Sequence, residues 1–493
     1  MVGVSAAVFL QNEGHKVTLW DPRGPAGGAS YGNAGIVVAT SCLPIATPGI
    51  LREIPSMLLS RNGPVTIRPS YFPSALPWLV RLVLATRWSK IERTAQALLS
   101  LSRNALLAYD RLLDIVPVAN VIHDVGKLTV YSTEAAFQAG ATSRRFTVEK
   151  GMAVDLLDRD GIYDLEPHLA PMFSRGVLQP HSRFVSNPRR LIETCVEHVL
   201  AHGGEMRQVA VTRIESRGTS CTVVTDDGSH RFDSVVVACG AWSEPLCRSL
   251  GFSVPLESER GYHLVLPQPD QSLRRPTLWA EHYINLCPME DGLRMTIGVE
   301  YAGRDAPPDY SLAYRLLGYA RTMLPSPVGK PQSEWLGLRP SLPASLPVLG
   351  PAPGHPNVIL AFGHNHIGLT LGPATGQVVA DLVSGRTSAL DLAPFAPTRS
   401  YVRQFSPTRG EILDAVSGGG QHCRIRGACC VSSAAKRLAR RARTRAPVFS
   451  TRQHPLSRAA FFVRFFYHSS PVTTRIKFRR TGAVLSFRQA AKM

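Results

Sequence analysis

The sequence predicts an α/β protein in which helices alternate with parallel strands. A second sheet is predicted from chain segments that lie between the parallel strands in the sequence. Two observations support this class. A helical pattern at 3–14 runs directly into the short apolar strand 17–20. The continuous apolar runs 235–238 and 358–362 are typical of strands buried in a parallel sheet. Strands of the second sheet are predicted at 261–267 and 293–300.

The remaining elements follow from periodicity and turn chemistry. Leucine, valine and isoleucine at spacings of three and four predict helix over 75–116, and Gly203-Gly204 closes a second helix at 189–202. Asp227-Gly228 indicates a hairpin. Further strands are predicted at 127–131, 207–214, 220–225 and 231–238, and a last helix at 373–384 ends at Gly385.

Charge divides the chain into two unequal parts. The 493 residues carry 55 Lys+Arg and 36 Asp+Glu, a net charge of +19. Residues 400–493 hold 19 of the basic residues but only Glu411 and Asp414 as acids. Residues 1–399, called the body below, are therefore nearly neutral. We therefore interpret 400–493 as a disordered basic tail and do not expect nucleic acid as a partner of the folded part.

The origin of that tail is open to three interpretations. It is a tether for nucleic acid or an anionic membrane, a solubilising extension, or a segment translated past a frameshift. The absence of amphipathic period around its eight phenylalanines favours the third.

Cysteine usage and hydropathy bear on location. The six body cysteines are scattered without a CxxC pair, and the first residues lack the basic leading region of a secretion signal. No apolar run reaches 18 residues. These features predict a cytoplasmic protein. The basic amphipathic segment Leu76–Ile91 is interpreted as a core-facing helix, with contact to the inner membrane surface as the alternative.

Two small-residue segments near the start are candidates for binding a nucleotide. The helix opening at Gly3, the strand that follows it and Asp21 at the strand's end reproduce the second half of a dinucleotide-binding unit. An ordinary helix–strand unit explains the same pattern. Backbone N–H groups of Ser30–Gly35 suit a pyrophosphate or a ring edge, whereas a surface loop is the alternative.

Two later segments carry candidates for chemistry. Arg339, in the apolar setting Gly337-Leu338-Arg339-Pro340, suits a carboxylate clamp because guanidinium binds carboxylate bidentately; a structural ion pair is the alternative. Residues 363–370 lead into a helix N-terminus that favours negative charge. His364 and His366 lack a third ligand nearby, so no metal site is predicted.

Together these segments resemble the FAD-dependent amino-acid oxidoreductases of the D-amino acid dehydrogenase (small subunit) and glycine oxidase type. The resemblance runs from Val2 to about Arg399. It rests on Ser30–Gly35, Leu98–Leu112, Val235–Trp242, Gly337–Gly350 and Gly363–Gly376.

The resemblance implies an FAD-binding, Rossmann-like domain of the glutathione-reductase type and an antiparallel-sheet substrate domain. It divides the chain into FAD-binding parts at 1–75, 186–255 and 336–399, a helical insertion with part of the substrate domain at 76–185, the substrate-domain sheet at 256–335, and the tail at 400–493. It also implies FAD contacts from Gly3, Asp21, Ser30, Asn33, Gly35, Val209, Gly240, Gly363, Gly368 and Thr370.

The implied reaction is oxidative deamination of a D-amino acid by hydride transfer to flavin N5, giving a 2-oxo acid and ammonia. Arg339 would hold the substrate carboxylate with help from Tyr262, and His364 would lie near the flavin. The electron acceptor, either oxygen or the quinones of the respiratory chain, is left open. The alternatives are an oxidase or dehydrogenase of glycine, sarcosine or D-hydroxyproline, or a flavin-free remnant.

Two departures from the family pattern matter. The family's opening strand and its first two glycines have no counterpart before Gly3, so we expect a central position of the sheet to be empty and the N-terminus to be truncated. Asn365 replaces the second glycine of Gly-His-Gly, which asparagine tolerates because it adopts positive φ more readily than most residues.

Overall fold

The computed structural model describes residues 1–38, 44, 63–326 and 329–398, together with the backbone of residues 403–404 and 459–463. The helices of these residues are α1 Val2–Asn12, α2 Phe72–Ala85, α3 Trp88–Ser102, α4 Ala105–Ile115, α5 Glu134–Ala139, α6 Ala141–Glu149, α7 Arg159–Leu165, α8 Pro188–Ala201, α9 Ser243–Ser249, α10 Ser311–Met323 and α11 Gly368–Val383.

The strands are β1 Lys16–Trp20, β2 Ile36–Val37, β3 Val65–Ile67, β4 Ile122–His123, β5 Lys127–Tyr131, β6 Asp155–Leu157, β7 Arg175–Gln179, β8 Arg183–Val185, β9 Glu205–Arg207, β10 Val211–Arg217, β11 Ser220–Thr225, β12 Gly228–Phe232, β13 Ser234–Val237, β14 Phe252–Ser253, β15 Glu257–Leu266, β16 Thr277–Trp279, β17 Ile284–Met289, β18 Gly292–Tyr301, β19 Ser333–Ser341, β20 Val348–Ala352, β21 His355–Phe362, β22 Arg403–Gln404 and β23 Ala459–Val463.

A six-stranded sheet forms the first layer. Its order is β20-β21-β13-β23-β1-β9, and every neighbouring pair is parallel except β20 with β21. Helices α1 and α11 pack against each other, and together with strands of this sheet they contribute to the largest core cluster. This arrangement confirms the predicted α/β class with parallel strands.

The central position of this sheet is occupied, so the expectation of an empty position was wrong. Strand β23 lies between β1 and β13, parallel to both, with Leu19 and Val236 each paired to Phe462 in register. Without a strand in this position, the facing backbone N–H and C=O groups of β1 and β13 would lack partners. The apolar stretch 459–463 pairs with both strands. Most of the predicted tail 400–493 lies outside the described residues.

A nine-stranded, largely antiparallel sheet forms the second layer. Its order is β19-β15-β18-β17-β16-β5-β7-β6, with β3 added alongside β18. The register of β15 against β18 shifts between Arg260 and Tyr262, which marks a β-bulge. The predicted strands 261–267 and 293–300 are confirmed as the longer strands β15 and β18. The six-part division of the chain stays a prediction.

Helix α11 contains a proline whose structural cost is offset by a neighbouring helix. Pro373 has no N–H, so the carbonyl of Leu369 four residues earlier receives no helical hydrogen bond. The buried hydroxyl of Tyr109, on α4, donates to that carbonyl at 2.8 Å. The helix can therefore begin at Gly368, five residues before the predicted start, and its first turn faces the loop 363–367.

The helical region after residue 72 differs in detail from the prediction. The segment predicted as helix over 75–116 is three helices, α2 to α4, and no helix of the described residues is long and apolar enough to cross a membrane. Helix α2 does not bury its whole apolar face, so it is not the purely core-facing helix that the sequence predicted for this segment. Its exposed apolar side chains are Phe72, Leu76, Val80, Val83 and Leu84, each between 45% and 48% exposed.

Candidate active site

A cavity of about 420 Å³ lies where the two sheets meet. The N-terminal turn of α1, the loop after β1 and the loop 363–367 form one side of it. Strands β15, β17, β18 and β19 of the second sheet form the other side, through residues such as Gly261, Asn285, Thr296 and Arg339. Clefts of this size at the carboxyl ends of parallel strands are the usual binding sites of α/β proteins.

The end of the cavity nearest α1 presents groups suited to a nucleotide. Met1 and Gly3 line it at the helix N-terminus, where the helix dipole favours an anion. The Met1 amino group donates to Ser30 Oγ at 3.1 Å, which ties the 27–35 loop to the head of the helix. Asp21 lies directly after β1 and lines the same cavity. An anion-binding helix end for the phosphates and an acid after the next strand to accept from the ribose hydroxyls are the arrangement found in dinucleotide sites.

Glycine keeps two further parts of the wall open. Gly240 follows β13 with φ +55, and a Cβ built on it would meet no atom within 4 Å. Gly363 has φ +84, and a Cβ there would lie 2.4 Å from Leu342 Cδ1. Both positions require a conformation that other residues adopt only at a cost, and both let the backbone approach a ligand.

The loop 363–367 is fixed by side chains on both of its flanks. Asn365 has φ +48, as expected for a residue replacing glycine. Its Oδ1 accepts from Leu342 N at 2.8 Å, and its Nδ2 donates to Ser345 O at 2.8 Å. The asparagine therefore adds two hydrogen bonds that a glycine cannot make, and they hold this loop against the turn after β19.

His364 is a buried neutral imidazole. Its Nε2 lies 2.9 Å from Thr375 Oγ1 on α11, and the residue lines the cavity. Burial, with a smaller contribution from the positive N-terminus, lowers the pKa of His364 to about 3. The ring is consequently uncharged at neutral pH, so it contributes shape and one hydrogen bond to the wall.

Thr370 joins α11 to the segment around β2, which also lines the cavity. Its hydroxyl donates to Ile36 O at 3.3 Å and accepts from Val38 N at 3.2 Å. Gly368, the first residue of α11, lines the cavity beside it.

Arg339 projects into the cavity from β19. It lies against Gly261 of β15, since a Cβ on that glycine would be 2.3 Å from Arg339 Cζ. The bulge in β18 gives Gly298 a φ of +46, and the Gly298 carbonyl accepts from Arg339 Nη1 at 3.0 Å. One of the five guanidinium N–H groups is thus used for orientation, and the hydrogen bonds among the described residues leave the others for a ligand.

A carboxylate beside Arg339 was missed by the sequence reasoning. Glu259 is directly opposite Arg339 in the β15–β19 ladder, so both side chains are on the cavity face of the sheet. The buried Glu259 accepts from Tyr301 Oη at 2.7 Å and contacts His366 Nε2 at 2.5 Å. Burial opposes its ionisation, but the attraction of His366 and the hydrogen bonds from His366 and Tyr301 hold the pKa of Glu259 down at about 2.

An aromatic wall closes another part of the cavity. The Trp335 ring stacks on His263 with centroids 5.0 Å apart, and Tyr31 contacts it edge-on at 5.9 Å. A Cβ on Gly32 would lie 2.0 Å from this indole. The small residues of the 27–35 loop therefore make room for tryptophan as well as for a ligand.

The structure brings most of the predicted site residues to one cavity, and three need separate comment. The lining contains Gly3, Asp21, Ser30, Asn33, Gly240, Tyr262, Arg339, Gly363, His364, Gly368 and Thr370. Gly35 and Val209 are not part of it. Val209 packs on the second core cluster, and Gly35 turns the chain with φ +72.

Tyr262 contributes to the lining, but its hydroxyl is engaged elsewhere. The hydroxyl donates to Glu300 Oε2 at 2.5 Å and accepts from Asp309 N at 3.2 Å. Because side chains alternate along a strand, Tyr262 and Gly261 face opposite sides of the sheet. The structure does not bring the Tyr262 hydroxyl to the Arg339 guanidinium, and a role for it on the carboxylate stays a prediction.

The fold and the cavity define a nucleotide-dependent oxidoreductase, and residues 1–382 match the profile of one family, described as FAD dependent oxidoreductase (DAO). The chain belongs to this family. The residues at the α1 end of the cavity fit its cofactor, FAD. The described residues contain no group of three or more His, Cys, Asp or Glu arranged to hold a metal ion.

Similar proteins agree with this assignment. A D-amino-acid oxidase of Bradyrhizobium diazoefficiens is 36% identical over 407 residues, which is 81% of this chain and 96% of the relative. A D-amino acid dehydrogenase of Rhizobium rhizogenes is 30% identical over 426 residues, covering 81% and 97%. The solved glycine oxidase of Geobacillus kaustophilus shares the fold with a TM-score of 0.60, at 23% identity over 81% of this chain and 96% of its own.

Proposed function

We propose that the protein catalyses FAD-dependent oxidative deamination of D-amino acids. The observation that carries this proposal is Arg339, a cation that lines the same cavity as the loop 363–367 and is suited to bind a carboxylate. The names of the relatives, a D-amino-acid oxidase and D-amino acid dehydrogenases, support the D configuration and the amino-acid class.

Arg339 binds the substrate carboxylate through the guanidinium N–H groups that Gly298 leaves available. A bidentate charge-assisted pair fixes direction as well as affinity. The Gly298 hydrogen bond and the bare surface of Gly261 prevent the guanidinium from turning away. The carboxylate would thereby be anchored and the substrate held in one orientation, which is the main contribution of such a site.

When bound, the flavin supplies the acceptor for the hydride that leaves the substrate Cα. The neutral His364 and the apolar wall formed by Trp335 keep water away from the reacting carbon. The amine must be unprotonated for the hydride to leave. The imino acid then dissociates, and water converts it to a 2-oxo acid and ammonia.

A panel of amino acids tests the proposal. The FAD-loaded protein is assayed anaerobically with a dye acceptor against D-amino acids, their L-enantiomers, glycine and sarcosine. Turnover with D-amino acids and none with the L-enantiomers is expected. Preference for glycine or sarcosine would replace the proposed substrate class by the alternative. Arg339→Lys should raise KM by on the order of 10–100-fold because it loses the bidentate geometry.

We also propose that the protein is cytoplasmic and contacts the inner membrane surface through α2. The exposed stripe from Phe72 to Leu84 is apolar, and the exposed cations Arg87 and Lys90 follow it directly. An apolar face beside cations suits an anionic bilayer. Sedimentation with anionic but not zwitterionic vesicles is expected, and Leu76→Glu with Val80→Glu should abolish it, whereas Leu200→Glu, at another exposed leucine, should not. Equal sedimentation of both variants would refute this contact.

Delivery of electrons to membrane quinones would follow from such contact. Oxygen is the other acceptor, and the rate of flavin reoxidation by air measured beside that by a soluble quinone decides between them.

A further inference from the structure

We propose that His366 is the base that takes the proton from the substrate ammonium group, and that Glu259 positions it. The inference rests on the proposed function, since it concerns the same cavity and an amine substrate. From the sequence we predicted no metal site at His366 and assigned it no other role.

The first argument is placement. His366 lines the cavity, and its side chain is 37% exposed, so one edge of the ring faces the substrate space. Its Nε2 is in contact with Glu259, and Glu259 is the cross-strand neighbour of Arg339. Opposed side chains in an antiparallel ladder have Cβ atoms roughly 5 Å apart. A substrate whose carboxylate is bound by Arg339 therefore has its amino group within reach of the His366 ring.

The second argument is the tautomer. The buried Glu259 carboxylate is ionised at neutral pH and can only accept hydrogen bonds. Tyr301 supplies one of them, so His366 must supply the other from Nε2. A neutral ring that carries its proton on Nε2 has an unprotonated Nδ1, which is the nitrogen left for the substrate. A carboxylate behind a histidine fixes its orientation in this way in many sites.

The proton balance is simple. One N–H bond of the ammonium breaks, its electron pair stays on nitrogen, and the proton bonds to His366 Nδ1. The imidazolium formed is stabilised by the Glu259 carboxylate. Because the ring is partly exposed, the proton returns to water once the product has left.

Several charged and titratable groups lie on the elements packed around His366. They are Glu259 on β15, Tyr301 on β18, Arg339 on β19 and His364 on the same loop. Glu259 carries a negative charge and Arg339 a positive one, Tyr301 donates a hydrogen bond to Glu259, and His364 is uncharged.

The test uses FAD-loaded His366→Ala and the matched control His181→Ala, which removes an exposed histidine outside the cavity. For wild type and control, kcat/KM should rise with pH along a limb set by an imidazole. In His366→Ala the limb should move up to the pKa of the substrate's own amino group, and kcat/KM at pH 7 should fall on the order of 10²-fold. Added imidazole should restore much of the loss at pH 7. FAD content and the affinity for benzoate, a carboxylate without an amine, should stay near wild type.

An unmoved pH limb in His366→Ala would overturn the proposal, as would a loss of activity that imidazole does not restore in a variant that still binds FAD and benzoate. Weaker benzoate binding with the limb in place would instead make His366 a carboxylate ligand beside Arg339. If none of the D-amino acids reduces the flavin of the wild-type protein, the proposed function fails independently of the role of His366. The same pH comparison is then made with sarcosine or glycine. Glu259→Gln removes the carboxylate that stabilises the imidazolium, so it should move the limb to lower pH, opposite to the shift in His366→Ala.

Discussion

Replacing Gly261 by alanine should disable the carboxylate clamp without unfolding the protein. The new Cβ would lie 2.3 Å from Arg339 Cζ, 2.4 Å from Nη2 and 2.8 Å from Nε. Such contacts are not tolerated, and the guanidinium, at the end of a flexible side chain, is the group that moves. A displaced guanidinium loses charge-assisted hydrogen bonds to the substrate worth about 1.5–3 kcal/mol each. Since about 1.4 kcal/mol is tenfold, kcat/KM should fall roughly 10–100-fold, mainly through KM.

Steady-state kinetics on a D-amino acid, with a thermal unfolding scan of the same preparations, measures this effect. Gly318→Ala is the matched control, because Gly318 is an exposed position of α10 where a Cβ meets nothing within 4 Å. It should leave KM unchanged and raise stability by about 0.5–1 kcal/mol. An unchanged KM in Gly261→Ala would show that Arg339 does not bind the substrate from its observed position.

Four further predictions concern stability. Tyr109→Phe leaves the Leu369 carbonyl without its donor and should cost about 1–3 kcal/mol in the free energy of unfolding, measured by urea titration. Gly376→Ala places a Cβ 2.8 Å from Ala6 N, which is backbone, so it should separate α11 from α1, cost about 1–3 kcal/mol and lower the FAD content seen by absorbance. The folded pKa of Glu259 is below its ordinary value of 4.5, so its ionisation stabilises the fold above pH 4.5, and this contribution should be lost as pH falls towards 2; acid titrations of unfolding should show a steeper loss in wild type than in Glu259→Gln. Phe462→Pro removes a backbone donor from the centre of the parallel sheet and should lower the thermal midpoint by several degrees; an unchanged midpoint would mean that β23 adds nothing to the sheet.

The sequence predicted the elements whose signal is local. The helix at the N-terminus, the strand after it and the strand 127–131 were found to within a few residues, because each buries one apolar face or run. The break of 75–116 into three helices was missed, since its apolar spacing continues across the turns at Thr86 and Arg103. The early start of α11 was missed because Pro373 argues against helix, and only the distant Tyr109 offsets its cost.

The occupant of the central sheet position could not be predicted, because it depends on a pairing between residues more than 400 positions apart. Strand β23 follows Trp20 by that distance, and short apolar runs specify their partners poorly.

The residues of the candidate site likewise fall into those that local motifs indicate and those that only strand register brings together. Asp21, Arg339 and most of the predicted glycines belong to compact motifs, and the structure places them in the lining of one cavity. Glu259 and Tyr301 belong to none, and their role arises from strand register, which places Glu259 opposite Arg339. Glu259 belongs to the polar stretch Glu257–Arg260 directly before Gly261, and this stretch was the one available signal for it. The hydroxyl of Tyr262 was expected near the clamp, but a one-residue step along a strand turns its side chain to the opposite face of the sheet.

The most direct test of the account is anaerobic reduction of the FAD-loaded protein, followed as bleaching of the flavin's visible absorbance after mixing with a D-amino acid or its L-enantiomer. The account predicts that the D-enantiomer bleaches the flavin and that the L-enantiomer does not. In Gly261→Ala the bleaching should be slower and should require a higher concentration of the D-amino acid. Bleaching by the L-enantiomer, or a D-amino acid response that Gly261→Ala and Arg339→Lys leave unchanged, would contradict it.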